Sequence, residues 1–261
     1  GRACWHGSQF VNALLDNDIE KTCFTYLDTV AEQFIVRAAE GLSLPEATVF
    51  PHVAKVHVDI EKAHNKPALA VPSVGLIAVS LQGWSNVYRC PTFGLEQASD
   101  IFNRFSEAVV AHHCTQTPSC PEANGAEQFH SSAYADDLVA DEFVHGTRLQ
   151  ESFETLLFAC YVAMGYKHTI SEKKLAVDGF FALEQMQQGF VFDSLNLWYS
   201  MVTTRYSELS SELKQGVWSS SNIRFPLGAV QRVLGLAFFI AFAHPQLKGF
   251  LSPLRRCIKS V

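Results

Sequence analysis

The chain has no long apolar run. Its most hydrophobic stretch, VLGLAFFIAFA from Val233 to Ala243, ends at His244-Pro245, well short of the roughly 20 apolar residues that a membrane-spanning helix needs. The expected reading is a buried helix, with no membrane partner. No basic leader followed by an apolar core opens the chain, so the expectation is an intracellular protein, cytoplasmic or nuclear, and a first residue of Gly1 points to a piece of a longer one. The cysteines make no disulfide framework: there are 7, an odd number, scattered at positions 4, 23, 90, 114, 120, 160 and 257. They read as reduced thiols. Internal repeats and low-complexity tracts are also missing.

What is present is an ordinary globular composition. The 261 residues, 48% of them hydrophobic, suffice for a sizeable core. The net charge of −6 argues against a nucleic-acid partner only when averaged over the whole length. Residues 1 to 204 hold 12 Lys and Arg against 24 Asp and Glu, whereas residues 205 to 261 hold 8 against 2. The basic end could face a phosphate backbone, or could be a merely solvated face.

Periodicity supplies the elements. CFTYLDTVAEQFIVRAAEG (Cys23 to Gly41) has helical spacing at Val30, Phe34 and Ala38. VAKVHVDIEKAH alternates, with Val56, Val58 and Ile60 on one side and Lys55, His57 and Asp59 on the other, which predicts a half-buried strand with Asp59 on its polar side. Two short strands around Gly83 are expected between Leu76 and Cys90, then a helix with Ile101, Phe105 and Ala108 on its stripe. A polar loop over residues 115 to 127 leads into a strand, a two-residue turn and a strand. A helix through Phe153, Leu156, Leu157 and Cys160 closes at Gly165. Two more helices are expected in the tail, one carrying Tyr206, Leu209 and Leu213, the other from about Leu227 to Phe242. The order is that of an α+β fold, an antiparallel sheet backed by helices with a separate helical end.

HSSAYADDLVADEF, residues 130 to 143, sets Asp136 and Asp137 side by side at a hairpin tip. One reading is turn chemistry, since aspartate tolerates the backbone of a turn. The other is a cation site. Ala133-Tyr134 and Leu138-Val139 aim the tip from a buried hairpin, and if the strand of Asp59 is its neighbour, three carboxylates converge. Like charges so placed repel unless a divalent ion lies among them, and hard oxygens favour Mg²⁺ or Mn²⁺. Glu61, Asp141 and Glu142 read as solvated surface carboxylates. His112, His113, Cys114, Cys120 and His130 have no standard zinc spacing. Lys173-Lys174 alone reads as a surface pair, and Trp84, Trp198 and Trp218 read as core.

Taken together, these segments resemble the reverse transcriptases of retroelements, most closely those of tyrosine-recombinase retrotransposons, over about residues 20 to 261. AYADDLV resembles the Tyr-x-Asp-Asp motif, VAKVHVDIEKAH motif A, VYRCPTFGLEQASDIF motif B, MGYKHTISEKK the lysine-bearing motif D, and QQGFVFDSLNLWYS the primer-gripping segment. The resemblance implies a palm-type polymerase fold: reduced fingers at 1 to 54 and 67 to 92, a palm at 55 to 66 and 93 to 204, and a basic helical thumb at 205 to 261. It implies RNA-directed DNA polymerase activity, joining deoxynucleoside triphosphates to a primer on an RNA or DNA template, inside a longer retroelement polyprotein. Two Mg²⁺ (or Mn²⁺) ions would be held by Asp59 and Asp136, with Asp137 in support and the backbone carbonyl of Ile60 as a further ligand. The backbone through Ile60, Glu61, Lys62, Ala63 and His64 would cradle the triphosphate, and Phe93 and Gly94 would border the nucleotide. Lys173, or its neighbour Lys174, would sit near the leaving pyrophosphate. Arg224, Arg232, Lys248, Arg255, Arg256 and Lys259 would meet nucleic-acid phosphates. The chain departs from the family at His64, where Tyr or Phe is usual, and at Thr92, Ser99 and Gln188-Gly189. The alternative is a catalytically silent, palm-derived nucleic-acid binder.

Overall fold

The alternation in VAKVHVD produces strand β1 (Val53–Asp59). In the computed structural model, which describes residues 27–42, 52–63, 66–67, 78–81, 84–87, 90, 98–165, 169–218, 225–249 and 251, β1 pairs antiparallel with β5 (Asp137–Phe143). β5 in turn pairs antiparallel with β4 (Ser131–Tyr134), giving the order β1-β5-β4. Ladder partners share a face of the sheet, so one face presents Val56 and Val58 beside Leu138 and Ala140. Against it pack Phe102 and Val109 of helix α2 (Ala98–His113) and Leu156, Ala159 and Cys160 of helix α4 (Arg148–Met164). Helix α1 (Leu27–Leu42) also contacts β1 and β5, with Phe34 buried beneath Lys55. Cover from helices is what lets the middle strand β5 be buried along nearly its whole length.

Several expectations hold. Strands β2 (Ala78–Leu81) and β3 (Trp84–Val87) form the anticipated two-stranded ladder, although the Gly83 turn lies outside the described residues. α4 closes at Gly165, whose φ of 86° suits a residue without a Cβ. Inside the long polar loop stands a short helix, α3 (Pro121–Asn124). The stripe of α2 differs from expectation. Its buried side is Ala98, Phe102, Asn103, Ser106, Val109 and His113, while Ile101 and Phe105 are partly exposed and Ala108 is exposed. The polar members are buried because they have partners. Ser106 Oγ donates to the Ala135 carbonyl at 2.6 Å, and His113 Nε2 lies 3.0 Å from Ser152 Oγ.

The chain divides into two units, residues Gly1–Leu183 and Glu184–Val261, upstream of the point near residue 205 where the charge balance reverses. In the second unit, β6 (Glu184–Gln187), β7 (Phe190–Asp193) and β8 (Trp198–Met201) form an antiparallel sheet. It is followed by α6 (Thr203–Leu213) and α7 (Leu227–Ala243), the two helices expected of the tail. Gln188 and Gly189 turn β6 into β7 with φ of 51° and 79°, the two left-handed positions of a type I′ hairpin. Gly189 is needed twice over, because a Cβ there would stand 2.8 Å from Phe239 Cζ of α7. Mixed helix and antiparallel sheet make this an α+β protein. No helix among the described residues is long and apolar enough to cross a membrane.

Candidate functional site

The β1–β5 register sets Asp59 opposite Asp137. The β4–β5 register sets Tyr134 opposite Asp137, which leaves Ala135 and Asp136 as a two-residue loop. Ala135 has φ of 54°, a left-handed conformation at the turn position that glycine usually fills. Two hydrogen bonds hold the tip: the one from Ser106 Oγ to the Ala135 carbonyl, and one from the Ile60 amide to the Asp136 carbonyl at 3.2 Å. Strand pairing therefore brings together, at one end of the sheet, three carboxylates that lie 78 positions apart in the chain, counting Asp59 to Asp137.

A lysine joins them. Beyond β1, the Glu61 amide donates to the Thr169 carbonyl at 2.8 Å, and the Ser171 amide donates to the Asp59 carbonyl at 3.0 Å. These bonds, with a bridge between Ile60 and Ile170, seat helix α5 (Glu172–Asp178) beside β1. From it Lys174 Nζ reaches Asp59 Oδ1 in a direct ion pair. The lysine at the cluster is thus Lys174; Lys173 is exposed. The hydrogen bond to Asp59 and the charges of Asp59, Asp137 and Asp136 together raise the Lys174 pKa above its ordinary value against the opposing effect of partial burial. All three carboxylates act on this one ammonium. On the other side, His57 Nε2 stands 3.2 Å from Asp137 Oδ1. The Asp59 side chain is 11% exposed and that of Asp137 35%, so the cluster opens to solvent at its tip.

The donor chemistry, carboxylate oxygens at adjoining strand ends, suits a hard divalent cation. As they stand, Asp59 turns to Lys174 and Asp137 to His57. Among the described residues no group of three His, Cys, Asp or Glu side chains is placed to hold a metal ion. Of the anticipated triphosphate cradle, Ile60 and Ala63 are buried, Glu61 is half-buried, and Lys62 is exposed with φ of 53°. His64, Phe93 and Gly94 lie outside the described residues.

Two carboxylates near the hairpin depart from expectation. Asp141 and Glu142 are buried, not solvated. Both sit on the middle strand, where helices cover the sheet, and burial is tolerable because each has partners. Asp141 pairs with Lys55, itself buried, and Asp141 Oδ2 lies 3.6 Å from His130 Nδ1. Burial pushes the Asp141 carboxyl up, but the Lys55 charge and the His130 hydrogen bond outweigh it and hold it well below the usual range. Glu142 accepts from Arg148 Nε at 2.6 Å and from the His130 amide at 2.6 Å. There burial prevails and pushes the carboxyl up. Glu61 is the one of the three that keeps partial exposure.

In the second unit, Arg232 pairs with Glu212 at 3.0 Å and Lys248 is exposed. Arg224, Arg255, Arg256 and Lys259 lie outside the described residues. Trp218 stacks on Phe225 with centroids 5.2 Å apart, but Trp198 is exposed rather than core.

Among solved structures, the chain is similar to a foamy viral protease-reverse transcriptase in complex with an RNA/DNA hybrid. The TM-score is 0.51 at 17% identity, over 80% of this chain and 24% of that one. It is also similar to the foamy viral protease-reverse transcriptase dRH in complex with double-stranded DNA, with a TM-score of 0.50 at 17% identity, over 80% of this chain and 31% of that one. The fold is therefore reverse-transcriptase-like, and the chain spans less than a third of the length of these neighbours. No protein-family model matches the sequence, and no curated protein does.

Proposed function

We propose that this chain is the polymerase part of a retroelement reverse transcriptase, extending a primer 3′-hydroxyl with deoxynucleoside triphosphates on an RNA or DNA template. The observation that carries the reading is the gathering of Asp59, Asp136 and Asp137 about a single ammonium at one end of the β1-β5-β4 sheet. Asp59 and Asp136 would hold Mg²⁺ or Mn²⁺, with Asp137 and the Ile60 carbonyl in support. A pair of such ions activates the attacking hydroxyl and neutralises the leaving pyrophosphate. The chain's own residues do the positioning. The ladder sets Asp59 beside the hairpin tip, Ser106 and Ile60 fix the turn that presents Asp136, and His57 holds Asp137. Lys174, which reaches Asp59 from α5, would meet the anionic leaving group.

The neighbours are complexes with an RNA/DNA hybrid and with DNA, which supports a primer–template duplex as the partner here. On this reading residues 55 to 66 and 93 to 204 are the palm, residues 1 to 54 and 67 to 92 the fingers, and the basic stretch from 205 onward a thumb that grips phosphates. The retrotransposon origin rests on the motif resemblances. A second reading, a silent nucleic-acid binder, is favoured by the ion pair of Lys174 with Asp59 and by the absence of a ready three-ligand group among the described residues.

Primer extension with Mg²⁺ and with Mn²⁺ separates the two readings, since both allow duplex binding and one allows elongation. Asp136→Asn and Asp59→Asn should each abolish incorporation while leaving the fold intact, and the double variant should lose little more, because ligands of one site act as a unit. Near-normal extension by Asp136→Asn would overturn the assignment, and no extension by the unmutated chain under either metal would favour the silent binder.

A further inference from the structure

The ion pair between Lys174 and Asp59 has an unusual setting. An exposed lysine normally spends its time in water, because holding a long side chain in one geometry costs entropy that a single exposed ion pair barely offsets. Lys174 is 53% exposed, yet it is committed to a carboxylate that is 11% exposed. Three features explain the commitment. Its helix is stitched to β1 by backbone hydrogen bonds on both sides of Ile60, which brings the root of the side chain to the site. The carboxylate it meets is one of three. The other two lie at the same hairpin tip, Asp137 set opposite Asp59 by the β1–β5 register and Asp136 in the turn beside it. Three carboxylates at one strand end favour a positive charge there before any ligand arrives.

Resting on the cation-site reading above, we infer that Lys174 is a built-in competitor for the cation: its ammonium holds Asp59 in the metal-free protein, and binding of a divalent ion must release it. Asp59 Oδ1 cannot serve the ammonium and an incoming ion together at full strength, so the two occupancies exclude one another. Two effects of opposite sign follow for a variant that keeps the aliphatic stem and loses the charge. Lys174→Met leaves Asp59 without its ammonium partner, so the metal-free protein becomes less stable. It also removes the competitor, so a divalent ion binds more tightly. A residue that merely props up the fold would weaken both.

The test is a titration of the full chain with Mn²⁺, followed by electron paramagnetic resonance of the free ion, alongside urea denaturation with and without metal. Lys174→Met should bind Mn²⁺ tighter by about fivefold, the scale of one partly exposed ion pair, and should unfold at lower urea only when metal is absent. Lys174→Arg, which keeps the charge, should bind no tighter than the unmutated chain. A further measurement needs no variant: Mg²⁺ should speed acylation of the Lys174 amine by acetic anhydride, read by peptide mass spectrometry. Saturable Mn²⁺ binding of equal or lower affinity in Lys174→Met, or acylation indifferent to Mg²⁺ in a chain that binds it, would overturn the inference and leave the cation site standing. Absence of saturable binding in both chains would instead overturn the cation site, and the inference with it.

Discussion

Lys55 of β1 and Asp141 of β5 are ladder partners whose side chains meet in the interior, 2% and 3% exposed. The lysine lies over the ring of Phe34, with Nζ 5.3 Å from its centroid. A charge pair this deep contributes little net stability, because desolvation consumes most of the attraction, but either partner left alone is costly.

Lys55→Met should therefore destabilise the protein by about 3 to 5 kcal/mol, the cost of an uncompensated buried carboxylate. Adding Asp141→Leu should recover most of that loss, since two apolar groups then replace two charges. A double-mutant cycle by urea denaturation at neutral pH checks this. Simple additivity of the two single losses would show that the pair is not coupled.

His113 sets an acid limit. Burial lowers its pKa from 6.5 to about 4, with the Ser152 hydrogen bond opposing the shift and nearby positive groups adding to it. The ring is neutral in the fold while the unfolded chain takes up a proton. Stability is thus full above about pH 6.5 and declines as the pH falls toward about 4, by about 3 kcal/mol in all. His113→Gln should flatten that part of the stability profile. An unchanged slope between pH 6.5 and 4 in the variant would assign the acid sensitivity elsewhere.

Ala135 holds the strained corner of the carboxylate hairpin, with φ of 54°. Glycine there should relieve about 1 kcal/mol of steric cost, partly offset by the freedom glycine adds to the unfolded chain. A β-branched residue should do the reverse: Ala135→Val is expected to cost about 2 kcal/mol and to displace Asp136. Thermal melts of the two variants should bracket the unmutated protein, and Ala135→Val melting at or above it would show the turn to be unstrained.

How far the sequence could be read is clearest residue by residue. The alternation around Asp59 and the apolar flanks of Asp136-Asp137 declare a strand and a hairpin, because a period of two is a strong signal. Their pairing with one another was a conditional expectation, and the β1–β5 register fulfils it. The face of α2 is hidden from sequence because Asn103, Ser106 and His113 look like solvent-facing residues until their partners are known. The burial of Asp141 and Glu142 is hidden for the same reason, since charge alone cannot reveal a helix lying across the strand. The choice between Lys173 and Lys174 was beyond sequence, as neighbours on a helix differ by about 100° in direction, a matter settled by how the helix docks.

The ladder that carries Lys55 opposite Asp141 is also the one that carries Asp59 opposite Asp137, four residues further along β1. A slip of one residue would turn every side chain of β1 to the wrong face. A slip of two would leave the buried lysine facing Val139 or Phe143, with no acid to receive it. Misalignment is thereby penalised about 13 Å from the carboxylates that depend on it. The interior ion pair acts as a proofreader of strand alignment, so that a chain which has folded at all has folded with its aspartates in step.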